Sequence, residues 1–366
     1  MFATTLPTPT ETMVPLFSHQ GMTLNPVHVD VPAQYLLADT LEAQSVHAEL
    51  SPHTQAPLPK TSGFWKVQRP VWMASESSWD TARWVMVGVP YDGTCSYRPG
   101  SRFAPSAIRE ASWGIECYSP HTRTSLEEAH FYDAGEMELP MGNRDLSLAR
   151  IKALTQETLA MGKQWFGVGG EHLITLPSVE AYLEQYPDLA VLHFDAHGDL
   201  AQDLFGEKLS HGSVIRRIAD VMEAQNTENH PALRPEARIV QVGIRAGTPD
   251  QFDWMSQAHA DNHVWSLETT SPERLAHVMQ KLEGRPVFVT FDVDCLDPSV
   301  MPGTGTPEPP GLTFQQVLAW FKVFSHLRVV GMDLVELAPH YDASGASTVA
   351  SAKLMREMLC SFGIQA

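Results

Sequence analysis

The chain is 366 residues long, 43% hydrophobic and 19% charged, which is enough to bury a large core, and no apolar run approaches the roughly 20 residues that cross a bilayer, so no membrane partner is expected. Acidic residues outnumber basic ones 43 to 25, a formal net charge of -18; with no basic run to offset it, that balance excludes a nucleic-acid backbone and mildly favours a small cationic ligand. Four scattered cysteines, Cys95, Cys117, Cys295 and Cys360, form no CxxC pair, which suits a reduced compartment and excludes a zinc ribbon or a disulfide framework.

The first thirty residues carry no Lys or Arg and no compact apolar block, so neither a signal nor a transit peptide is expected and cytoplasmic residence is the default. Residues 1–62 are rich in Pro, Thr and His without sustained periodicity and read as an N-terminal arm, either wrapped on a neighbouring subunit or disordered, ahead of a catalytic domain at 63–366. Runs rich in β-branched and aromatic residues predict strands at 84–90, 164–170, 189–197, 238–246, 263–268, 286–294 and 328–337. Helical patterns lie between them at 146–163, 177–186, 213–225, 271–284, 313–324 and 347–363. Most of the strands are apolar on both faces, so the alternation predicts a three-layer α/β/α fold with a mostly parallel sheet. Ligand sites in such sheets sit at the carboxyl ends of the strands.

The polar motifs fall at those ends. LHFDAHGDL places Asp195, His197 and Asp199 at i, i+2 and i+4, which in an extended segment turns three side chains to one side. FVTFDVDCLDP places Asp292 and Asp294 at a second strand end, with Asp297-Pro298 as a turn. GVGGEH offers Glu171 and His172 after a glycine pair that lets the backbone turn sharply; it is not a GxGxxG, and no phosphate-binding GxxxxGK[ST] occurs.

Four carboxylates at one sheet edge repel one another at a cost of several kcal/mol unless cations neutralise them. Taken singly, each Asp reads as a turn or cap residue and each His as a satisfied core or surface residue; together they point to divalent metals. Four Asp and two His are too oxygen-rich for structural zinc and too nitrogen-bearing for calcium, so Mn²⁺ fits first, with Ni²⁺, Co²⁺ or Fe²⁺ as alternatives.

These segments resemble the signatures of the arginase/agmatinase (ureohydrolase) family: GG[DE]H, DAHxD and [ST]FDxDxxDP in that order, with GVPYDGTCSYRPGSRFAPSAIRE (88–110), MPGTGTPEPPGLT (301–313) and GMDLVELAP (331–339) adding to the match over about residues 80–365. The resemblance implies two divalent metal ions. His172, Asp195, Asp199 and Asp292 bind one, His197, Asp195, Asp292 and Asp294 bind the other, and Asp195 and Asp292 are shared. It implies water activated for attack on the trigonal carbon of a guanidinium group, giving urea and an amine. Glu336 takes the family's guanidinium-orienting position and His211 matches a histidine that passes a proton to the leaving amine. It also implies a homo-oligomer, trimer or hexamer.

Among members, the loop LAQDLFGEKLSHG resembles bacterial agmatinases, so agmatine, hydrolysed to putrescine and urea, is the first expectation for the small cationic guanidino substrate. Gly198, where many members carry Thr or Ala, and the long N-terminal arm keep guanidine hydrolase and guanidinobutyrase as alternatives. A non-catalytic metal-binding scaffold would be favoured by a lost ligand, but all six are present. Metal-dependent deacetylation would need one zinc on two Asp and one His, against which the second DxD carboxylate and GGEH argue.

Overall fold

The computed structural model describes residues 65–66, 72–76, 78–227, 230–256, 263–264 and 278–364. The expected N-terminal arm lies outside the described residues.

Among the described residues nine strands form one sheet: β1 (Trp65–Lys66), β2 (Trp84–Gly88), β3 (Phe131–Met137), β4 (Gln164–Val168), β5 (Ala190–Phe194), β6 (Ile239–Val242), β7 (His263–Val264), β8 (Val287–Asp292) and β9 (Val329–Val335). Their spatial order is β1-β3-β2-β4-β9-β8-β5-β6-β7. Every pairing is parallel except β1 against β3. The helices are α1 (Ala104–Ser112), α2 (Arg144–Ala160), α3 (Thr175–Gln185), α4 (Val214–Gln225), α5 (Pro249–Ser256), α6 (Phe314–Phe324) and α7 (Ala346–Met358), the last running on into a wider turn at Leu359–Gly363. No helix among the described residues is long and apolar enough to cross a membrane.

Alternate side chains of each strand feed two separate cores, one per sheet face. Ala190, Leu192 and Phe194 of β5 join Val289 and Phe291 of β8 in a core covered by α1, α6 and α7. Val191 joins Val85, Val87 and Phe288 in the other, covered by α2, α3 and α4. The three-layer arrangement expected from doubly apolar strands is the one observed, and the apolar layers clamp the strands so that their carboxyl ends hold fixed positions.

Pattern reasoning missed β3, whose sequence FYDAGEM carries two carboxylates and a glycine. The charges are tolerated because Arg109 of α1 reaches both, Nε lying 2.8 Å from Asp133 Oδ2 and Nη1 2.9 Å from Glu136 Oε1. A buried pair of this kind is satisfied only by tertiary contact, so no local signal marks it. The short helices α1 and α5 were missed as well. Most of the helix expected at 271–284 lies outside the described residues, although residues 278–282 are helical.

Candidate metal centre

The four central neighbours β4, β9, β8 and β5 each end in one of the polar motifs. After β4 the chain turns at Gly169 (φ 44) and Gly170 (φ 133). A Cβ at Gly170 would stand 2.4 Å from Tyr91 O and 2.5 Å from Val89 O, so only glycine lets this strand end pass the loop after β2. Glu171 N then donates to Tyr91 O (2.7 Å) and Glu336 N to Gly170 O (2.9 Å), which locks His172 and Glu336 side by side.

His172 is fully buried. Its Nδ1 lies 3.1 Å from Asp195 Oδ2, 3.1 Å from Asp199 Oδ2 and 3.4 Å from Asp292 Oδ2, yet makes no hydrogen bond. His197 Nδ1 lies 3.0 Å from Asp294 Oδ2 and 3.4 Å from Asp195 Oδ1. The ligand atoms thus form two groups, His172 with Asp195 and Asp199, and His197 with Asp195 and Asp294, joined through Asp195.

Convergence does not come from an extended pleat, as the i, i+2, i+4 spacing predicts. β5 ends at Phe194, and Asp195–Asp199 is a loop: His197 N donates to Asp195 Oδ1 at 2.6 Å, and Asp199 sits at φ 49. This sends His197 and Asp199 into different groups. Asp292 likewise ends its strand and caps a tight turn, with Asp294 N donating to Asp292 Oδ1 at 2.8 Å. Ala196 N donates to Asp294 Oδ1 (3.0 Å), tying the two acidic strand ends together directly. Arg245, for which the sequence holds no signal, grips the second loop by donating to the carbonyls of Asp294 (2.8 Å), Cys295 (3.2 Å) and Glu308 (2.7 Å).

Burial raises the carboxyl pKa of Asp292 well above its usual range, and Asp294 and Asp195 push it the same way. Burial also raises Asp294 and Glu336. For Asp195 burial is outweighed by His193, His172 and His197, and its pKa falls well below the usual value. Burial works against charge on His172 and His197, but the surrounding carboxylates hold both well above an ordinary imidazole. The site is an over-acidic cluster that must gather positive charge.

These residues fit divalent cations. A buried imidazole nitrogen without a hydrogen bond faces oxygens of three carboxylates; with no cation present a proton must be held there, and a divalent cation between them would replace that proton with ligand bonds to every partner.

Glu336, 3% exposed, holds the left-handed φ of 68, uncommon for a non-glycine residue and the mark of a position fixed by its surroundings. His172 N donates to its Oε1 at 2.8 Å, and His211 Nδ1 stands 3.9 Å from the same oxygen. Ser96 N donates to His211 Nε2 (3.3 Å), which leaves the ring proton on Nδ1, toward Glu336. Burial lowers the His211 pKa below its ordinary value. Behind them Glu171 accepts from Thr94 N (2.8 Å) and Thr94 Oγ1 (2.5 Å), and His211 N donates to Thr94 Oγ1 (3.0 Å). Burial pushes Glu171 up to about 7, with the hydrogen bonds from Thr94 opposing. A cavity of about 500 Å³ opens beside this wall, lined by Thr94, Cys95, Arg144, Phe205, Glu207 and Ser210 among others.

All eight site residues expected from the sequence therefore lie in one region. His193 was missed: its Nε2 lies 2.8 Å from Asp195 Oδ2. The signal was present, because His193 continues the alternation of Asp195 backwards into an otherwise apolar strand.

The model of the family described as "Arginase family" matches residues 82–360. The chain is 42% identical over 294 residues to the agmatinase of Bacillus subtilis (strain 168), covering 80% of this chain and 96% of that protein. It is 34% identical over 328 residues to the human mitochondrial guanidino acid hydrolase, covering 87% and 89%. Among solved structures, the proclavaminate amidino hydrolase of Streptomyces clavuligerus superposes with a TM-score of 0.69 at 29% identity, covering 86% of this chain and 99% of that one.

Proposed function

The chain belongs to the arginase family, a hydrolase acting on guanidino C–N bonds, and from that premise we propose that it converts agmatine to putrescine and urea with two Mn²⁺ ions. His172, Asp195, Asp199 and Asp292 would hold one ion and His197, Asp195, Asp292 and Asp294 the other. When bound, such a pair supplies Lewis acidity that brings the pKa of a water toward neutrality.

The observation that carries the reading is the buried Glu336 carboxylate beside that cluster, 3.9 Å from His211. A guanidinium is a planar cation with paired N–H donors, and a carboxylate accepts two of them in parallel. Glu336 therefore orients the substrate so that its trigonal carbon faces the acidic cluster. Water adds to that carbon, and the proton it gives up is relayed by His211, a neutral imidazole that must gain one proton as it passes another on, to the leaving nitrogen; the C–N bond then breaks, releasing the amine and urea. His211 and Glu171 share Thr94, so the proton donor is positioned from behind by a second carboxylate.

The cavity of about 500 Å³ shares Thr94 with the wall behind His211 but is lined by none of the proposed ligands, Glu336 or His211, so it supports the reading only as room for a substrate's tail, its volume lying within the roughly 300–1,000 Å³ of small-molecule sites. On its wall Arg144 Nη1 and Glu207 Oε2 are 2.6 Å apart. Glu207 suits an ammonium tail such as that of agmatine; Arg144 suits a carboxylate tail such as that of 4-guanidinobutyrate, the second reading.

Urea release from agmatine, arginine, 4-guanidinobutyrate and guanidine, each with Mn²⁺ or Ni²⁺ added separately, tests the proposal. The highest kcat/KM is expected for agmatine with Mn²⁺. Preference for 4-guanidinobutyrate moves the assignment to Arg144, and preference for free guanidine overturns it. No urea from any of the four would leave a metal-binding scaffold. Assembly as a trimer or hexamer and cytoplasmic residence belong to the same proposal, checked by light scattering and cell fractionation.

A further inference from the structure

One layer below the acidic cluster the sheet carries a row of polar side chains where a parallel sheet of this kind ordinarily buries apolar ones. Gln241 of β6 is the register partner of His193 of β5, His193 of Thr290 of β8, and Thr290 of Asp333 of β9. All four are at most 1% exposed and, by alternation, point to the same face, toward the start of α3.

The row ends in two contacts with the cluster. His193 Nε2 lies 2.8 Å from Asp195 Oδ2, the oxygen that also lies 3.1 Å from His172 Nδ1. Thr290 Oγ1 lies 2.9 Å from His172 Nε2, and Thr175 Oγ1 donates to Asp333 Oδ2 at 2.8 Å. Gln241 decides which way the first contact runs. Its Nε2 lies 2.9 Å from Gly198 O, which can only accept, so the amide nitrogen faces that way. The other hydrogen of the same nitrogen goes to His193 Nδ1 at 3.0 Å. His193 Nδ1 is therefore an acceptor, the ring proton sits on Nε2, and His193 donates to Asp195.

We propose that the transverse row Gln241–His193–Thr290–Asp333 is a positioning layer for the metal centre, in which His193 orients the shared carboxylate of Asp195 and Thr290 orients His172. His193 is not a ligand, although its ring nitrogen lies among the ligand atoms: one nitrogen carries a proton and the other accepts from Gln241, so neither offers a free lone pair. The inference rests on the two-metal reading. Donors that hold a ligand in place typically change metal affinity or activity by about 10–100-fold when removed.

The test is metal binding of the full chain, measured by Mn²⁺ titration and by elemental analysis after dialysis, alongside kcat, KM and the melting temperature of the EDTA-treated protein. His193→Ala should bind Mn²⁺ roughly 10–100-fold more weakly and lose kcat with KM little changed. His193→Gln, which keeps an N–H donor, should recover part of the affinity. Gln241→Met, which frees the ring tautomer, should fall between wild type and His193→Ala, and it carries the test if His193→Ala does not fold. Wild-type Mn²⁺ affinity and kcat in these variants, with only a lower melting temperature, would make the row an ordinary core feature and overturn the proposal. Loss of one whole Mn²⁺ equivalent in His193→Gln would make His193 a ligand and overturn it equally. Failure of the wild-type chain to take up two ions strikes the metal reading itself, a result distinct from either.

Discussion

Asp333 lies at the base of the centre, and replacing it with Asn should stabilise the protein by an amount that grows with pH. Burial raises its pKa from 3.8 to about 6, with the hydroxyls of Thr290 and Thr175 opposing that rise. Between those two values the folded state holds the proton more tightly than the unfolded chain, so stability falls as pH rises through the window and levels off above the folded pKa. The ionised side chain costs the fold about 1.6 kcal/mol near pH 5 and about 3 kcal/mol near pH 8. Asparagine is nearly isosteric and does not titrate, and any hydrogen bond it gains or loses contributes equally at both pH values. The pH-dependent part of the difference between variant and wild type, about 1.4 kcal/mol in favour of the variant, isolates the charge. Urea denaturation of both proteins in EDTA near pH 5 and pH 8 measures it. A difference that is flat or falls with pH would refute the account of burial as the dominant influence on this carboxyl.

Gly170→Ala forces a Cβ to within 2.4 Å of Tyr91 O at φ 133 and should destabilise by more than the roughly 1–3 kcal/mol of backbone strain alone; Gly284→Ala, at φ 75 with open space around it, should cost only about 1 kcal/mol in the same denaturation assay. Arg245→Met removes the donors to the Asp294, Cys295 and Glu308 carbonyls; amide exchange at residues 293–297 should quicken and Mn²⁺ affinity should drop, and unchanged exchange would show that the loop holds itself.

The sheet was legible because its strands are apolar on both faces, and that property follows from packing between two helical layers. The acidic cluster was legible because carboxylates at the ends of apolar strands have no structural reason to gather. What stayed hidden was polar chemistry satisfied at a distance. Strand β3 hides Asp133 and Glu136 under Arg109, 24 and 27 residues away. Arg245 acts through carbonyls, which every residue has. His193 could have been read, since a lone imidazole in AVLHF two residues before Asp195 shares its side of the strand, but its partner Gln241 lies 48 residues on, and only the register of two strands brings them together. The spacing argument for Asp195, His197 and Asp199 expected them to meet on one side of an extended strand; they do lie close together, but because the chain leaves the strand before the motif is finished.

The charge balance of the site explains why its substrate should be a cation and its product should leave. Asp195, Asp199, Asp292, Asp294 and Glu336 are all below 8% exposure, and the imidazoles among them cannot offset them. Two divalent ions would balance the four Asp carboxylates, leaving Glu336 as the buried carboxyl without a counter-charge, where burial and then Glu171 raise its pKa and disfavour ionisation. Ionising an unpaired buried carboxyl is costly, and a guanidinium bound at Glu336, as proposed, would offset that cost. Hydrolysis converts the guanidinium to urea, which is neutral, so the ion pair proposed to hold the substrate would be lost in the reaction itself. Urea should accordingly bind far more weakly than substrate, and Glu336→Gln should erase most of that difference by weakening the substrate alone. Inhibition by urea at concentrations comparable to the substrate KM would show that Glu336 does not carry the discrimination.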